Sequence, residues 1–112
     1  MPQIQESYNC PMKLTMDLIG GKWKLTILWY LNEGTKRFNE IKKFLPDITQ
    51  KILTEQLREM EENDLIVRKV YAVIPPKVEY STTEYGKKLQ VILNQMSLWG
   101  NEYAECHDIN IC

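Results

Sequence analysis

The sequence has 112 residues, which favours one domain over two and is long enough to bury a core without disulfides or metals. Hydrophobic residues make up 44% of it, yet no apolar run is long enough to span a bilayer. The net charge of −1 excludes a uniformly basic nucleic-acid coat, although it allows a local basic patch. The N-terminus lacks the pattern of a secretory signal, so we expect a cytoplasmic protein with no membrane partner.

Three short helices are predicted in the first half of the chain. The first begins at Pro11, which the first helical turn tolerates, and is stopped by Gly20-Gly21. The second ends at Gly34, and the third is halted by Pro46. The large aromatic residues of the second and third helices recur at helical spacing and are predicted to lie in the core: Trp23, Trp29, Phe38 and Phe44.

The fourth helix has the clearest signals. Thr49 is placed to cap its N-terminus, and only about four residues, Leu45 to Ile48, separate it from the third helix, as in a helix-turn-helix corner. Its apolar stripe consists of Ile52, Leu53, Leu57 and Met60. The opposite, polar face is predicted to carry Gln50, Lys51, Thr54, Glu55, Arg58 and Glu59.

After the fourth helix the hydrophobic period changes from about four to two. Residues 66–71 and 77–81 are predicted to form two strands of an antiparallel hairpin around Pro75-Pro76. A last helix follows Thr82 or Thr83, with an apolar stripe at spacings of 3 and 4. The fold class is therefore mainly α (α+β), a winged helix-turn-helix. One domain spans residues 1–112, with the helix-turn-helix at about 37–63, the wing at about 66–82 and the C-terminal helix at about 83–104.

Basic charge is concentrated around the predicted helix-turn-helix. Between Lys36 and Lys51 there are five basic residues and two acidic ones. The polar face of the fourth helix suits base edges and phosphates in the major groove, and the hairpin cations suit phosphates beside it. Any single lysine or arginine among these is better explained as a solvated surface residue, but the order, spacing and charge of the whole set agree with a DNA-binding surface. Taken together, the predicted contacts to double-stranded DNA are Lys36, Arg37, Thr49, Gln50, Lys51, Thr54, Arg58, Arg68, Lys69 and Lys77.

The sequence also resembles the HxlR-type winged-helix regulators of bacteria, which are relatives of the MarR type. The resemblance covers about residues 10–103 and rests on CPM at 10–12, GGKW at 20–23, RFNEIKKFLPDITQKILTEQLREMEENDLI at 37–66 and PPKVEYSTTEYGKKL at 75–89. Two departures are visible. Asn63-Asp64 replaces the usual Asp-Gly, a change that the turn tolerates, and Thr82 replaces the usual Leu.

The resemblance implies a dimeric, DNA-binding repressor or activator that binds a pseudo-palindromic operator. The family dimer uses the first and last helices, which assigns to the dimer interface Leu89, Ile92, Met96, Trp99 and Tyr103. Several members sense electrophiles or oxidants through a cysteine just ahead of the first helix. Cys10 occupies that place here.

The three cysteines are too few and too scattered for a disulfide framework. Cys10 precedes Pro11 at a helix N-terminus, where the helix dipole and the nearby Lys13 favour a thiolate. We expect oxidation to link it to Cys106 or Cys112 of the other subunit and to change the angle of the recognition helices. The alternative is an inert, half-buried thiol at the interface.

Other functions remain as alternatives. One is a winged-helix regulator controlled by a reversible small-molecule inducer, and another is a protein-interaction module that does not bind DNA. The cysteines together with His107 match no zinc signature, so no metal site is predicted. With one histidine and no phosphate-binding loop, the sequence offers no catalytic residues, and we expect neither an enzyme nor a cofactor.

Overall fold

The computed structural model describes residues 4–111. The described chain forms six helices and three strands, and the predicted order of four helices, a hairpin and a C-terminal helical region is confirmed. In chain order the elements are α1 Pro11–Ile19, α2 Lys24–Leu31, β1 Lys36–Arg37, α3 Phe38–Phe44, α4 Gln50–Glu62, β2 Ile66–Tyr71, β3 Lys77–Thr82, α5 Glu84–Lys88 and α6 Gln90–Cys106. This arrangement is a winged helix-turn-helix.

The hairpin of β2 and β3 is the wing, and β1 extends it to a sheet with the order β1-β3-β2. Both pairs are antiparallel, with Arg68 opposite Tyr80 and Arg37 opposite Glu79. Strand β1 was not predicted from the sequence, because two residues are too short to show an alternating pattern. The strand matters for the site, since it brings the start of the helix-turn-helix against the wing.

Local signals at both ends of α4 fix its position. At the N-terminus, Thr49 Oγ1 accepts a hydrogen bond from the Ile52 backbone N–H at 3.1 Å, which confirms the predicted cap. At the other end Asp64 adopts a left-handed conformation with φ of 61°. The turn therefore persists without the glycine that is usual in the family, because aspartate tolerates this region better than most residues.

The core lies between α2, α3, α4 and the inner face of the sheet. Its fully buried members are Ile27, Leu28, Leu31, Ile41, Ile48, Leu53, Leu57, Met60 and Ile66. Trp23 and Phe38 pack against this cluster, as predicted. The prediction was wrong for two other aromatics, since Trp29 and Phe44 are exposed. Phe44 stacks on the Tyr30 ring at 4.2 Å at the surface, and helical spacing alone did not distinguish this contact from core packing.

The C-terminal helical region is divided, whereas one helix over about 83–104 was predicted. Thr83 caps α5 by accepting a hydrogen bond from the Gly86 N–H. Helix α5 ends at Lys88, and Leu89 separates it from α6. The predicted start after Thr83 is confirmed. None of the helices within residues 4–111 has the length and apolar character needed to cross a membrane.

Candidate nucleic-acid interface and thiol site

One side of α4, from its N-terminus to Arg58, presents an exposed polar surface. Gln50, Lys51, Thr54 and Arg58 are all exposed on it, as the sequence predicted. The Thr54 hydroxyl donates a hydrogen bond to the Gln50 carbonyl oxygen at 2.8 Å, which directs its side chain along the helix. Because Thr49 also lies at the exposed start of α4, five of the ten predicted DNA contacts form one continuous surface, which we call the α4 face.

The back of α4 differs from the prediction at one charged residue. Glu59 was placed on the polar face, but its carboxylate lies 2.9 Å from the Lys24 ammonium of α2. The Lys24 side chain is 3% exposed and that of Glu59 is 25% exposed. Gln56 is buried on the same side. Helical periodicity assigned Glu59 by its polarity alone, whereas its position is set by a buried partner from a distant part of the sequence.

The strand register divides the predicted wing contacts between the two faces of the sheet. Side chains along a strand alternate between the two faces of a sheet. Arg68 is paired with the buried Tyr80 and therefore lies on the inner face, although Arg68 itself is exposed. Lys69 lies on the other, outer side. Glu79 is paired with Lys69 on one neighbouring strand and with Arg37 on the other. One row across the outer face therefore runs Arg37, Glu79, Lys69.

Tyr71 and Lys77 complete this outer cluster. The Lys77 ammonium lies 3.2 Å from Glu79 Oε2. The ammonium groups of Lys69 and Lys77 lie 4.9 Å and 4.8 Å from the centre of the Tyr71 ring. A hydrogen bond from Tyr71, together with the nearby charges of Lys77 and Arg37, lowers the pKa of the Glu79 carboxyl. We call these five residues, Arg37, Lys69, Tyr71, Lys77 and Glu79, the wing cluster.

Lys36 is less available than the other predicted contacts. Its ammonium lies 4.5 Å from the centre of the Tyr30 ring and 3.4 Å from a Glu33 carboxylate oxygen, and its side chain is largely buried. Its partner across the sheet is the buried Tyr80, so it lies on the inner side. Lys36 therefore supports the α2–β1 turn in this structure, whereas Arg37 belongs to the wing cluster.

Cys10 lies at the N-cap of α1, immediately before Pro11, as predicted, and it is exposed. The segment before it is tied to α1 through Tyr8, whose hydroxyl donates to Asp17 Oδ2 at 2.7 Å. Partial burial and the adjacent Asp17 carboxylate raise the pKa of Tyr8, so this donor stays protonated. Cys10 is thus an accessible thiol on a tethered segment.

The C-terminal thiols lie at or beyond the last turn of α6. Cys106 is the final residue of α6 and is exposed, and Cys112 lies outside the described residues. His107 follows directly, and its ring stacks on that of Tyr103 with centroids 4.0 Å apart. Within residues 4–111, no group of His, Cys, Asp or Glu side chains is arranged to hold a metal ion.

One side of α6 is apolar and uncovered in the single chain. Ile92, Met96, Trp99 and Tyr103 are exposed, and Leu89 is partly buried against the core. Trp99 and Tyr103 stack at 5.5 Å. Met12 and Met16 of α1 are also exposed. These residues include the whole set that was assigned to a dimer interface from the sequence.

Two residues of these sites were missed by sequence reasoning. Glu79 was treated as an ordinary strand residue, because no strand register was predicted; in the structure it lies opposite Lys69. Lys24 gave no local signal, because a lysine in an amphipathic helix is normally exposed.

Together, the helix-turn-helix, the exposed α4 face and the adjacent hairpin define a winged helix-turn-helix transcriptional regulator. The chain belongs to the HxlR-like helix-turn-helix family, whose model matches residues 18–108. An HTH-type transcriptional regulator from Bacillus subtilis (strain 168), YdeP, is 51% identical over 97 residues, covering 87% of this chain and 76% of YdeP. A second regulator from the same organism, YkvN, is 47% identical over 100 residues, covering 89% and 85%. These relatives agree with the prediction that the chain is not an enzyme.

Solved structures of similar regulators share the fold. The redox regulator HypR in its oxidized form is 49% identical, with a TM-score of 0.80, over 83% of this chain and 96% of that one. Its reduced form gives a TM-score of 0.83 at 45% identity, over 88% and 98%. The reduced form of the regulator YodB from B. subtilis is 38% identical, with a TM-score of 0.73, over 88% and 97%.

Proposed function

We propose that this regulator binds double-stranded DNA as a homodimer and that oxidation or electrophile modification of Cys10 changes its DNA binding. The observation that carries the DNA-binding proposal is the α4 face, where Gln50, Lys51, Thr54 and Arg58 are exposed together on a helix held from behind by the core. Amide and guanidinium groups on a helix of this kind hydrogen-bond to base edges in the major groove. The cations of the wing cluster are of the kind that contacts phosphates beside the groove.

The α4 face is tested by replacing Gln50, Lys51 and Arg58 together with alanine. Each good base contact contributes roughly 1–3 kcal/mol of specificity. We therefore expect the triple variant to lose on the order of 100-fold or more of operator affinity, measured by fluorescence anisotropy with DNA from upstream of its own and neighbouring genes. Salt dependence is measured in parallel, because phosphate contacts make binding salt-sensitive.

A matched control removes the same residue types from another part of the chain. Lys87, Lys88 and Gln90 are exposed on α5 and α6, and their triple alanine variant also removes two cations and one amide. It is expected to bind the operator with nearly wild-type affinity. If both triple variants bind the operator as tightly as the wild type, the α4 face does not read DNA. If the wild type itself binds no duplex specifically, the alternative of a protein-interaction module gains support.

The exposed apolar side of α6 supports the homodimer. Uncovered side chains as large as Met96, Trp99 and Tyr103 are typical of surfaces that pair with another protein. A two-fold dimer places two α4 helices on successive turns of DNA, with half-sites roughly 34 Å apart, which is why a pseudo-palindromic operator is proposed. A small change in the dimer geometry then alters the fit of both helices at once.

The thiol switch draws support from the exposure of Cys10 and from the likeness to the redox regulator HypR. YodB has also been solved after diamide treatment, and that form is 39% identical to this chain. We propose that Cys10 forms a disulfide with Cys106 or Cys112 of the other subunit. In that step two thiols lose two electrons and two protons, and diamide, taken as the oxidant, is reduced to the hydrazine form.

Replacing Cys10 with serine is expected to abolish the response to oxidants while leaving DNA binding of the reduced protein unchanged. The measurement is operator anisotropy before and after diamide or a quinone, with peptide mapping of the oxidised wild type. Cys106→Ser serves as the comparison, since it removes the second described thiol and leaves Cys10 in place. Disulfides found only between two Cys10 residues, or none at all, would contradict the proposed pairing.

A reversible ligand is the second candidate, and one observation favours it. A cleft of about 280 Å³ lies between α2 and α6, lined by Leu25, Thr26, Trp29, Leu93, Met96 and Ser97. An apolar molecule that binds there would contact the α6 surface proposed to form the dimer. If the Cys10→Ser protein keeps the regulatory response of the wild type, this candidate replaces the thiol switch.

A further inference from the structure

The wing cluster contains a carboxylate in the middle of groups that are suited to bind phosphate. Glu79 lies between Arg37 and Lys69 in one row across the three strands, and the Lys77 ammonium is 3.2 Å from its Oε2. Tyr71 donates a hydrogen bond to the same carboxylate, and its ring lies beneath both lysine ammonium groups. Three cations and one anion therefore leave the cluster with a net charge of +2.

We propose that Glu79 is a positioning and specificity-determining residue for DNA binding, which holds the wing cations in place and weakens their attraction to phosphates when α4 is not docked. The inference rests on the proposed DNA binding. The role that it assigns to Glu79 weakens one part of that binding, the attraction of the wing cations to phosphates. A phosphate that approaches Lys77 meets a cation whose charge is already partly balanced by a carboxylate 3.2 Å away. Non-specific binding, which depends almost wholly on such phosphate contacts, is therefore reduced.

The specific complex with the operator is weakened less by the partial neutralisation of the wing cations. There the α4 face adds base contacts that Glu79 does not touch, and the wing is held at one position along the DNA backbone. Lysine side chains lose considerable rotamer freedom when they are ordered. Because Glu79 and the Tyr71 ring already restrict Lys77, part of this loss occurs before DNA binds. Glu79 thus favours the operator complex over binding at other sequences.

The test is Glu79→Gln, which removes the charge but keeps an amide oxygen to accept the Tyr71 hydrogen bond. Anisotropy is measured from about 0.05 to 0.3 M salt with an operator duplex and with a scrambled duplex of equal length. One additional neutralised phosphate steepens the slope of log affinity against log salt concentration by about 0.9. At about 0.15 M salt this corresponds to roughly fivefold tighter non-specific binding per wing. We expect this gain for the scrambled duplex and a smaller one for the operator, so the specificity ratio falls.

Two variants serve as controls. Glu84→Gln removes the same charge from another lysine-paired carboxylate, whose Oε1 lies 3.9 Å from Lys87 in α5, and it is expected to leave both affinities unchanged. Glu79→Asp keeps the charge and is expected to retain most of the wild-type specificity ratio. Thermal melting of each variant without DNA separates an effect on folding from an effect on binding.

The outcomes distinguish a failure of this inference from a failure of the DNA-binding proposal. If wild type binds the operator but Glu79→Gln matches Glu84→Gln at every salt concentration, the inference is wrong and DNA binding stands. If Glu79→Gln loses affinity for both duplexes along with its melting temperature, the carboxylate is purely structural, and the inference is again wrong. If wild type binds no duplex specifically, the proposed function itself fails, and the inference fails with it.

Discussion

Replacing Glu59 with alanine is expected to destabilise the fold by about 3 kcal/mol, because it leaves the Lys24 ammonium buried without a counter-charge. The two groups are 2.9 Å apart, and the Lys24 side chain is 3% exposed. Losing one partner of a buried ion pair costs roughly 3–5 kcal/mol. The lower end applies here, since a quarter of the Glu59 side chain contacts solvent and water can partly replace it.

Two further variants test whether the loss comes from the unpaired charge of Lys24. The double variant Lys24→Met and Glu59→Leu removes both charges at similar volume, and it is expected to recover most of the lost stability. Glu84→Ala breaks the exposed pair with Lys87 and is expected to change stability by about 0.5 kcal/mol or less. The free energy of unfolding is measured by urea denaturation at one fixed protein concentration, because the proposed dimerisation would make it concentration-dependent.

A loss for Glu59→Ala no larger than that for Glu84→Ala would show that the Lys24 charge is solvated in solution. The pair also joins two elements of the fold. Glu59 follows Arg58 of the α4 face and faces α2, so the ion pair fixes the back of α4 against α2.

Elements that depend on local signals could be predicted from the sequence. The cap at Thr49 uses a hydroxyl three residues from its donor, and the left-handed Asp64 follows from a side chain that tolerates that backbone region. The hairpin strands were predicted within one residue because alternation and the intervening prolines agree. The exposed residues of the α4 face followed in the same way, from periodicity along one helix.

Features that depend on distant neighbours could not be predicted. The two-residue strand β1 exists only because β3 is beside it, and the exposure of Trp29 depends on which neighbours cover α2. The charged pair of Lys24 and Glu59 joins residues 35 positions apart, and neither has a sequence context that marks it as buried. The wing cluster could be predicted only in part. The two hairpin strands were predicted, but the third strand, which brings Arg37 beside Glu79, was not.

Replacing Gly86 with alanine is expected to destabilise the protein by roughly 2–3 kcal/mol through overpacking where α5 meets the turn between α4 and β2. An added Cβ would overlap the Leu65 backbone carbonyl oxygen and lie 3.1 Å from Thr82 Cβ. The carbonyl cannot move freely, because it accepts a hydrogen bond from the Thr83 N–H at 3.1 Å. The Thr83 hydroxyl also donates to the neighbouring Asp64 carbonyl oxygen at 2.6 Å, so both sides of the contact are fixed.

The melting temperatures of the wild type and of Gly86→Ala are compared, and their difference measures the cost of the added methyl group. Gly100→Ala is the matched control. In the single chain, an added Cβ at Gly100 meets no atom within 4 Å, and alanine is favoured over glycine in a helix by up to about 1 kcal/mol. The two substitutions add the same methyl group and are expected to move the melting temperature in opposite directions. For Gly86→Ala the expected fall is about 10 °C, at roughly 4 °C or more per kcal/mol in a domain of this size. A fall of less than about 2 °C would mean that α5 can move away from Leu65 without loss, and the division between α5 and α6 would then be a mobile joint rather than a fixed one.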